Sequence, residues 1–146
     1  MANKLIVTAA PHITGADTTQ KIMGRVCLAL LPTLFASIVI FGINSLILTA
    51  VTVAACVAFE YGYCKLMKRE VPVSDLSAVV TGLLLAMTLP HTVPYWQAAL
   101  GSVFAIVLVK CLCGGLGQNI FNPALAARAF LMLIWPVGLT RYVGID

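Results

Sequence analysis

Charged residues are scarce in this sequence. Only 10% of the 146 residues are Asp, Glu, Lys or Arg, whereas 61% are hydrophobic and the mean hydropathy is +1.02. A soluble domain carries about 25% charged residues, so this chain has too few to cover a water-facing surface. Most of the chain is therefore expected to face lipid, and the sequence predicts an all-α integral membrane protein.

Other absences exclude further classes of protein. The five cysteines lie in apolar runs without the spacing of a disulfide framework, so a secreted disulfide scaffold is excluded. The nine Lys and Arg residues are scattered and form no basic stripe, so nucleic-acid binding is not expected. Cys111 and Cys113 offer two thiolates where an iron–sulfur cluster needs four, so no metal site is predicted.

Two apolar runs in the first half predict a transmembrane helical hairpin over residues 26–64. The eighteen residues 26–43 carry no charge, and the second run follows a turn predicted at Asn44-Ser45. Basic residues flank the hairpin on its outer sides only: Lys4, Lys21, Arg25, Lys65, Lys68 and Arg69. The positive-inside rule then predicts that the interfacial N-terminal segment 1–25 and the basic loop 65–75 are cytoplasmic.

Residues 76–135 combine an apolar composition with breaks at glycine and proline. The thirty-four residues 76–109 contain no Asp, Glu, Lys or Arg, and Pro90 and Pro94 divide them into two pieces of about fourteen residues. A helix of that length spans about 21 Å, less than a hydrocarbon core of about 30 Å. A third short piece covers residues 124–135. Discontinuous or re-entrant helices around a ligand site and three ordinary tilted helices both fit this pattern.

The glycine-rich stretch before the third piece is the densest chemical feature. Asn122 is predicted to cap a helix that begins at Pro123, because proline lacks an N–H that the first turn leaves unpaired anyway. Backbone N–H groups and two side-chain amides would then form a cradle for a carbonyl-rich partner such as the pyrimidine edge of a flavin. A helix cap with tight glycine packing is the alternative interpretation. The cradle residues are Gly114, Gly115, Gly117, Asn119 and Asn122.

The same stretch, extended to Leu131, resembles the signature of one family of membrane proteins. That family contains the D subunit of the Rnf electron-transport complex and the B subunit of the sodium-translocating NADH:quinone reductase. Segments around Pro11-His12-Ile13, Ser74-Asp75-Leu76 and Thr88-Leu89-Pro90 resemble other parts of the family in the same order. The resemblance covers essentially the whole chain and is closer to the Rnf branch, because few residues precede Pro11.

This resemblance implies a fold and a function. Family members are bundles of about ten helices built as an inverted repeat, of which this chain would supply about five transmembrane or half-membrane helices. The complexes carry electrons between NADH and ferredoxin or quinone, coupled to sodium or proton movement, in the cytoplasmic membrane of bacteria or archaea. The expected partners are the A and E subunits in the membrane, the flavin-carrying G subunit, the peripheral B and C subunits, and membrane lipid. The chain alone is not expected to be catalytic.

Two flavins also follow from the resemblance. Asn119 and Asn122 match the asparagines that hold a noncovalent riboflavin in the quinone-reductase branch. The family esterifies flavin mononucleotide (FMN) to the threonine of a Ser-x-Ala-Thr motif, and the chain contains no such motif. Residues 136–146 are therefore interpreted as a truncated exit segment, with the FMN-bearing threonine expected downstream of Asp146.

Two charged residues within apolar segments are additional candidates. Arg128 must pair with a buried group or reach a wet cavity, and either a flavin or helix-end carbonyls would serve. Glu60, five residues before Lys65, should face the bundle interior or snorkel outward, and solvation at the membrane interface is the favoured interpretation. The functional alternative for Glu60 is a ligand on a cation pathway, since the sodium-pumping relative carries an acid in the equivalent helix.

Two other functions remain open at this point. Asn122-Pro123-Ala124 is also the tripeptide that caps the half-helices of aquaporins, which leaves a solute channel or a transporter half as an alternative. An aquaporin half places the tripeptide after two apolar segments, whereas here it follows four. A purely structural assembly protein of the complex is the third possibility.

Overall fold

The computed structural model describes residues 19–69, 76–111 and 122–141, which form helices and turns without any strand. In chain order the helices are α1 (Thr19–Phe41), α2 (Ile43–Leu66), α3 (Ser77–Thr88), α4 (Tyr95–Val103), α5 (Pro123–Ile134) and α6 (Pro136–Thr140). Helix α4 continues directly into Phe104–Cys111, which is wound as a π-helix and is called the π segment below.

Helices α1 and α2 form a hairpin joined by a single residue, Gly42. Its φ of 77° lies in a region that glycine enters without a Cβ clash. Its N–H donates to the Ile38 carbonyl oxygen at 2.8 Å, and the hydroxyls of Ser37 and Ser45 hydrogen-bond across the turn. The turn predicted at Asn44-Ser45 is therefore wrong, because the chain reverses at the glycine and both residues belong to the first turn of α2.

The start of α1 also differs from the sequence-based boundary. The first span is predicted to begin at residue 26, but the helix already begins at Thr19. Residues 19–25 of the predicted interfacial segment are therefore helical, and they continue directly into the apolar part of α1. Pro32 lies inside α1, as expected for a proline tolerated within a spanning helix.

Successive long elements run in opposite directions. Leu76, just before α3, lines a groove with Lys21 and Arg25 at the start of α1. At the opposite end, the His91 ring stacks on Phe41 with the centroids 4.8 Å apart. We call the first end of the bundle the basic end, because its described residues include Lys21, Arg25, Lys65, Lys68 and Arg69.

Helix α2 is central and packs on α1, α3, α4 and the π segment. Its buried face consists mainly of small or polar side chains, which let neighbouring helices approach closely. The hydroxyls of Thr49 and Thr52 donate to carbonyl oxygens four residues earlier, at 2.8 and 2.7 Å, so burial leaves neither unsatisfied. The buried residues of α2 are Ser45, Leu48, Thr49, Thr52, Cys56, Glu60 and Cys64.

The principal apolar core lies where α3, α4 and α5 meet. Phe104 and Phe130 stack nearly parallel beside it, with ring centroids 4.2 Å apart. At the end opposite the basic end, Trp96 and Trp135 make a T-shaped contact with ring centroids 5.2 Å apart. The buried members of this core are Leu48, Leu85, Leu89, Val93, Ala98, Ala105, Ala124, Ala127, Leu131 and Leu139.

By length and composition, two of the described helices could cross a membrane, at residues 20–41 and 43–66. Three shorter apolar helices follow: Ser77–Thr88, Tyr95–Cys111 and Pro123–Ile134. The middle one, α4 with the π segment, is longer than the piece of about fourteen residues predicted there, because the helix continues past Val109 through Lys110 to Cys111. The choice between re-entrant and tilted short helices stays a prediction.

Helices α2 and α3 approach most tightly at Gly82. A Cβ atom added there would lie 2.7 Å from the Cα atom of Val53, which is backbone and cannot rotate aside. We expect Gly82→Ala to push the two helices apart and to destabilise the protein by about 1–3 kcal/mol. The measurement is the thermal unfolding midpoint of the purified protein in detergent.

The matched control for this substitution is Gly62→Ala. Gly62 also lies in a helix, but nothing stands within 4 Å of its added Cβ. There alanine should be neutral or stabilise by up to about 1 kcal/mol through its better helix propensity. Equal midpoints for the two variants would contradict the close approach of α2 and α3.

Candidate functional site

The start of α5 is built as the sequence predicts. Asn122 has extended backbone angles, and its side-chain Oδ1 accepts a hydrogen bond from the Ala124 N–H at 3.0 Å. Pro123 occupies the first helical position, so the predicted cap and helix start are confirmed. The side chain of Asn122 is exposed, and the cap uses only its oxygen. The amide Nδ2 is a donor that this cap does not require.

The other members of the predicted cradle lie outside the described residues. These are Gly114, Gly115, Gly117 and Asn119. Arg128 is described and is half-buried on α5. Six residues separate it from Asn122, which on an α-helix places it about 9 Å along the axis and about a third of a turn away. A shared contact of Arg128 and Asn122 with one ligand stays a prediction.

A buried ion pair lies near the basic end of the bundle. Glu60 on α2 is 1% exposed and Lys110 at the end of the π segment is 3% exposed. The Lys110 Nζ atom donates to Glu60 Oε1 and also to the hydroxyl Oγ of Ser77, the first residue of α3. One ammonium group therefore joins three elements that are far apart in the sequence.

The predicted solvation of Glu60 at the interface is wrong. The side chain faces the interior of the bundle, where an apolar cluster of Cys56, Ala78, Ile106 and Cys111 packs beside the pair. Burial of a carboxylate in such surroundings is costly unless an opposite charge and hydrogen bonds compensate. Lys110 supplies both. The alternative role of Glu60 on a cation pathway is not decided by this geometry.

Sequence reasoning missed Lys110 and Ser77 as partners of Glu60. The available signal was a single acid inside one apolar run and a single base closing another, in a chain with few charges. Two such isolated charges of opposite sign are best accommodated as a buried pair. Ser77 has no comparable signal, because a serine at a helix start usually serves as a cap.

No group of three or more potential metal ligands occurs among residues 19–69, 76–111 and 122–141. The cysteines in these ranges, Cys27, Cys56, Cys64 and Cys111, are free thiols. A hydroxyl on α4 contacts the backbone of α2: the Ser102 Oγ atom donates to the Ala98 carbonyl oxygen at 2.9 Å and to the Thr52 carbonyl oxygen at 3.4 Å. The Ser102 hydroxyl therefore links α4 to α2.

Apolar helices, a central helix with a small and polar face, and a buried charge pair together define an α-helical membrane protein. The chain belongs to the NQR2, RnfD, RnfE family, whose sequence model matches residues 6–146. The predicted resemblance and the predicted fold class are thereby confirmed.

Curated relatives agree with this family. The chain is 50% identical over 136 residues to the D subunit of the Na⁺-translocating ferredoxin:NAD⁺ oxidoreductase complex of Acetobacterium woodii. It is 41% identical over 140 residues to the D subunit of the proton-translocating ferredoxin:NAD⁺ oxidoreductase complex of Clostridium ljungdahlii. It is also 41% identical over 144 residues to the D subunit of the ion-translocating oxidoreductase complex of Shewanella piezotolerans.

These alignments cover most of this chain but less than half of each relative. They include 93%, 96% and 97% of the chain, and 43%, 42% and 41% of the respective relatives. The chain therefore spans about two fifths of the length of the curated relatives that it matches.

The ion pair generates a test of stability. Lys110→Met leaves a buried carboxylate without its ammonium and should destabilise the protein by about 3–5 kcal/mol. The double variant Glu60→Gln with Lys110→Met removes both charges and should recover most of that loss. The measurement is thermal unfolding in detergent. A double variant as unstable as Lys110→Met would contradict the pairing of Glu60 with Lys110. Lys110→Arg serves as the control that retains the charge.

Proposed function

We propose that this chain forms part of the D subunit of an ion-translocating ferredoxin:NAD⁺ oxidoreductase of the Rnf type. The observation that carries the proposal is the identity of 41–50% with three proteins bearing that name or a general form of it, across almost all of the chain. The chain serves the complex as a membrane component and is not catalytic by itself.

Electron transfer through bound flavin is the role proposed for the segment around Asn122. A noncovalent riboflavin would be held there, with Arg128 as an additional contact. The residues that would hold it are Asn119, Asn122 and, through their amides, Gly114, Gly115 and Gly117. The support is chemical: the cap occupies only the Asn122 oxygen, and the exposed side chain retains an amide donor suited to a flavin carbonyl. Riboflavin supplies one- and two-electron chemistry when bound, while the protein orients it and sets its potential.

The covalent FMN belongs, in this proposal, to the part of the D subunit that the alignments leave uncovered. The rest of the complex completes the electron path, with the A and E subunits in the membrane, the G subunit carrying flavin, and the B and C subunits at the periphery. The relatives' names include both sodium and proton translocation, so the coupling ion is either of the two. Glu60 is proposed as an acid on its pathway.

The proposed orientation places the basic end in the cytoplasm, with the chain crossing the cytoplasmic membrane several times. Support comes from the antiparallel hairpin, which gathers Lys21 and Arg25 with Lys65, Lys68 and Arg69 at one end. Asn122 begins α5 at the same end, so riboflavin is proposed to lie in the cytoplasmic half. The relatives are named as subunits of oxidoreductase complexes, which favours this redox function over a solute channel.

Substitutions at Asn122 can separate a flavin ligand from a helix cap. Asn122→Ala removes both the cap and the flavin ligand. It should lower the free energy of unfolding by about 1 kcal/mol and abolish riboflavin binding. Asn122→Ser keeps a capping oxygen but lacks the amide donors, so it should retain stability and still lose riboflavin. The measurement is the noncovalent riboflavin content of the purified complex, released by acid and quantified by fluorescence.

Asn119→Ala is expected to empty the same site, and Asn44→Ala, in the first turn of α2 at the opposite end, is the matched control. Full riboflavin content in both Asn119→Ala and Asn122→Ser would refute the proposed flavin site. Absence of flavin and of ferredoxin-dependent NAD⁺ reduction in the wild-type complex would refute the proposed function altogether.

A further inference from the structure

The Lys110 ammonium occupies a position that is already equipped with oxygen ligands. Glu60 Oε1 and Ser77 Oγ come from two different helices and converge on the same nitrogen atom. A carboxylate and a hydroxyl are hard oxygen donors, the type that small cations such as Na⁺ prefer. Glu60 is 1% exposed, and Ser77 and Lys110 are each 3% exposed, so the position is shielded from bulk water.

The cation at this position is tethered to an unusual element. An α-helix turns about 100° per residue, which would place Lys110 about 80° from Ser102 around the axis. The wider winding of the π segment reduces the total rotation and brings Lys110 to the side on which Ser102 approaches the Thr52 carbonyl of α2. The π winding therefore turns Lys110 towards α2, the helix that carries Glu60.

We propose that Glu60 and Ser77 form a binding site for a small monovalent cation, and that the Lys110 ammonium is its resting occupant. The transported cation and Lys110 exclude each other, because both need the same carboxylate and hydroxyl oxygens. This inference rests on the proposed ion-translocating function and adds a residue to it: Lys110 acts as a built-in competitor that closes the site when no transported cation is present.

Competition also has an electrostatic reason. Glu60 carries one negative charge, so one monovalent cation at a time neutralises it in this apolar setting. When Lys110 withdraws, another cation or a proton can take its place on the carboxylate. In the exchange, the mobile cation neutralises Glu60 while the Lys110 ammonium moves to the aqueous face at the basic end, so neither state contains an isolated buried charge.

The test uses the full-length protein in its assembled complex, with Na⁺ as the probe and choline at equal ionic strength as the reference. Dicyclohexylcarbodiimide modifies protonated carboxyl groups in apolar surroundings, and peptide mass spectrometry measures its adduct on Glu60. In the wild type, the Lys110 ammonium is bound to the Glu60 carboxyl group, so the adduct should be scarce in both salts. In Lys110→Met the adduct in choline should rise at least about tenfold, the loss expected for one charge-assisted hydrogen bond. Na⁺ should suppress that rise.

Two variants control this comparison. Lys110→Arg keeps a tethered cation and should behave as the wild type. Glu60→Gln with Lys110→Met removes the carboxylate, so no adduct forms at position 60, and Na⁺ should no longer raise its thermal unfolding midpoint. In Lys110→Met, by contrast, Na⁺ should raise that midpoint by several degrees, because a bound cation stabilises the folded state.

Equal adduct formation by Lys110→Met in Na⁺ and in choline, with no Na⁺-dependent change in its unfolding midpoint, would overturn the proposal. If Lys110→Met does not assemble, the same comparison is made with Lys110→Gln, whose neutral amide can still bond to the Ser77 hydroxyl. Riboflavin content and ferredoxin-dependent NAD⁺ reduction of the wild type are measured in the same preparation. A failure there refutes the redox function, whereas the Na⁺ comparison refutes only the cation site.

Discussion

The buried contact between Glu60 and Lys110 constrains the basic end of the bundle more than any other described interaction. Neither charge is tolerable alone in an apolar interior, so α2 and the π segment must meet at this point and at this rotation. The additional hydrogen bond to Ser77 fixes the start of α3 relative to both. The small side chains along α2 then become necessary, since they allow the neighbours to approach closely enough for the contact to form.

The same constraint connects the two functional regions proposed for this chain. Lys110 is followed, after Cys111, by the residues that contain the glycine-rich stretch, and Asn122 starts the next helix at the same end. The proposed cation site and the proposed flavin site are therefore neighbours along the chain.

Much of the fold follows from the sequence because its signals are local. Apolar runs predicted the helices, and Asn122-Pro123 predicted the start of α5, since a cap and a first-turn proline act within one turn of helix. The turn at Gly42 was misplaced because Asn44 and Ser45 are equally typical turn residues, and the φ adopted is a property of the whole hairpin. The solvation predicted for Glu60 is wrong because its partner Lys110 lies fifty residues away in the sequence, and no local pattern indicates that the two are in contact. The π winding of Phe104–Cys111 was not predicted, because an apolar run of this composition is equally compatible with an α-helix.

The single-residue connection at Gly42 also bears on how the protein enters its membrane. Helices α1 and α2 are each long and apolar, and between them there is neither a charge nor a polar loop. A translocation machinery would therefore have no hydrophilic segment to carry across the lipid at this point. A hairpin of this kind can partition into a bilayer as one unit, because its two polar ends lie together and no polar segment has to cross between them.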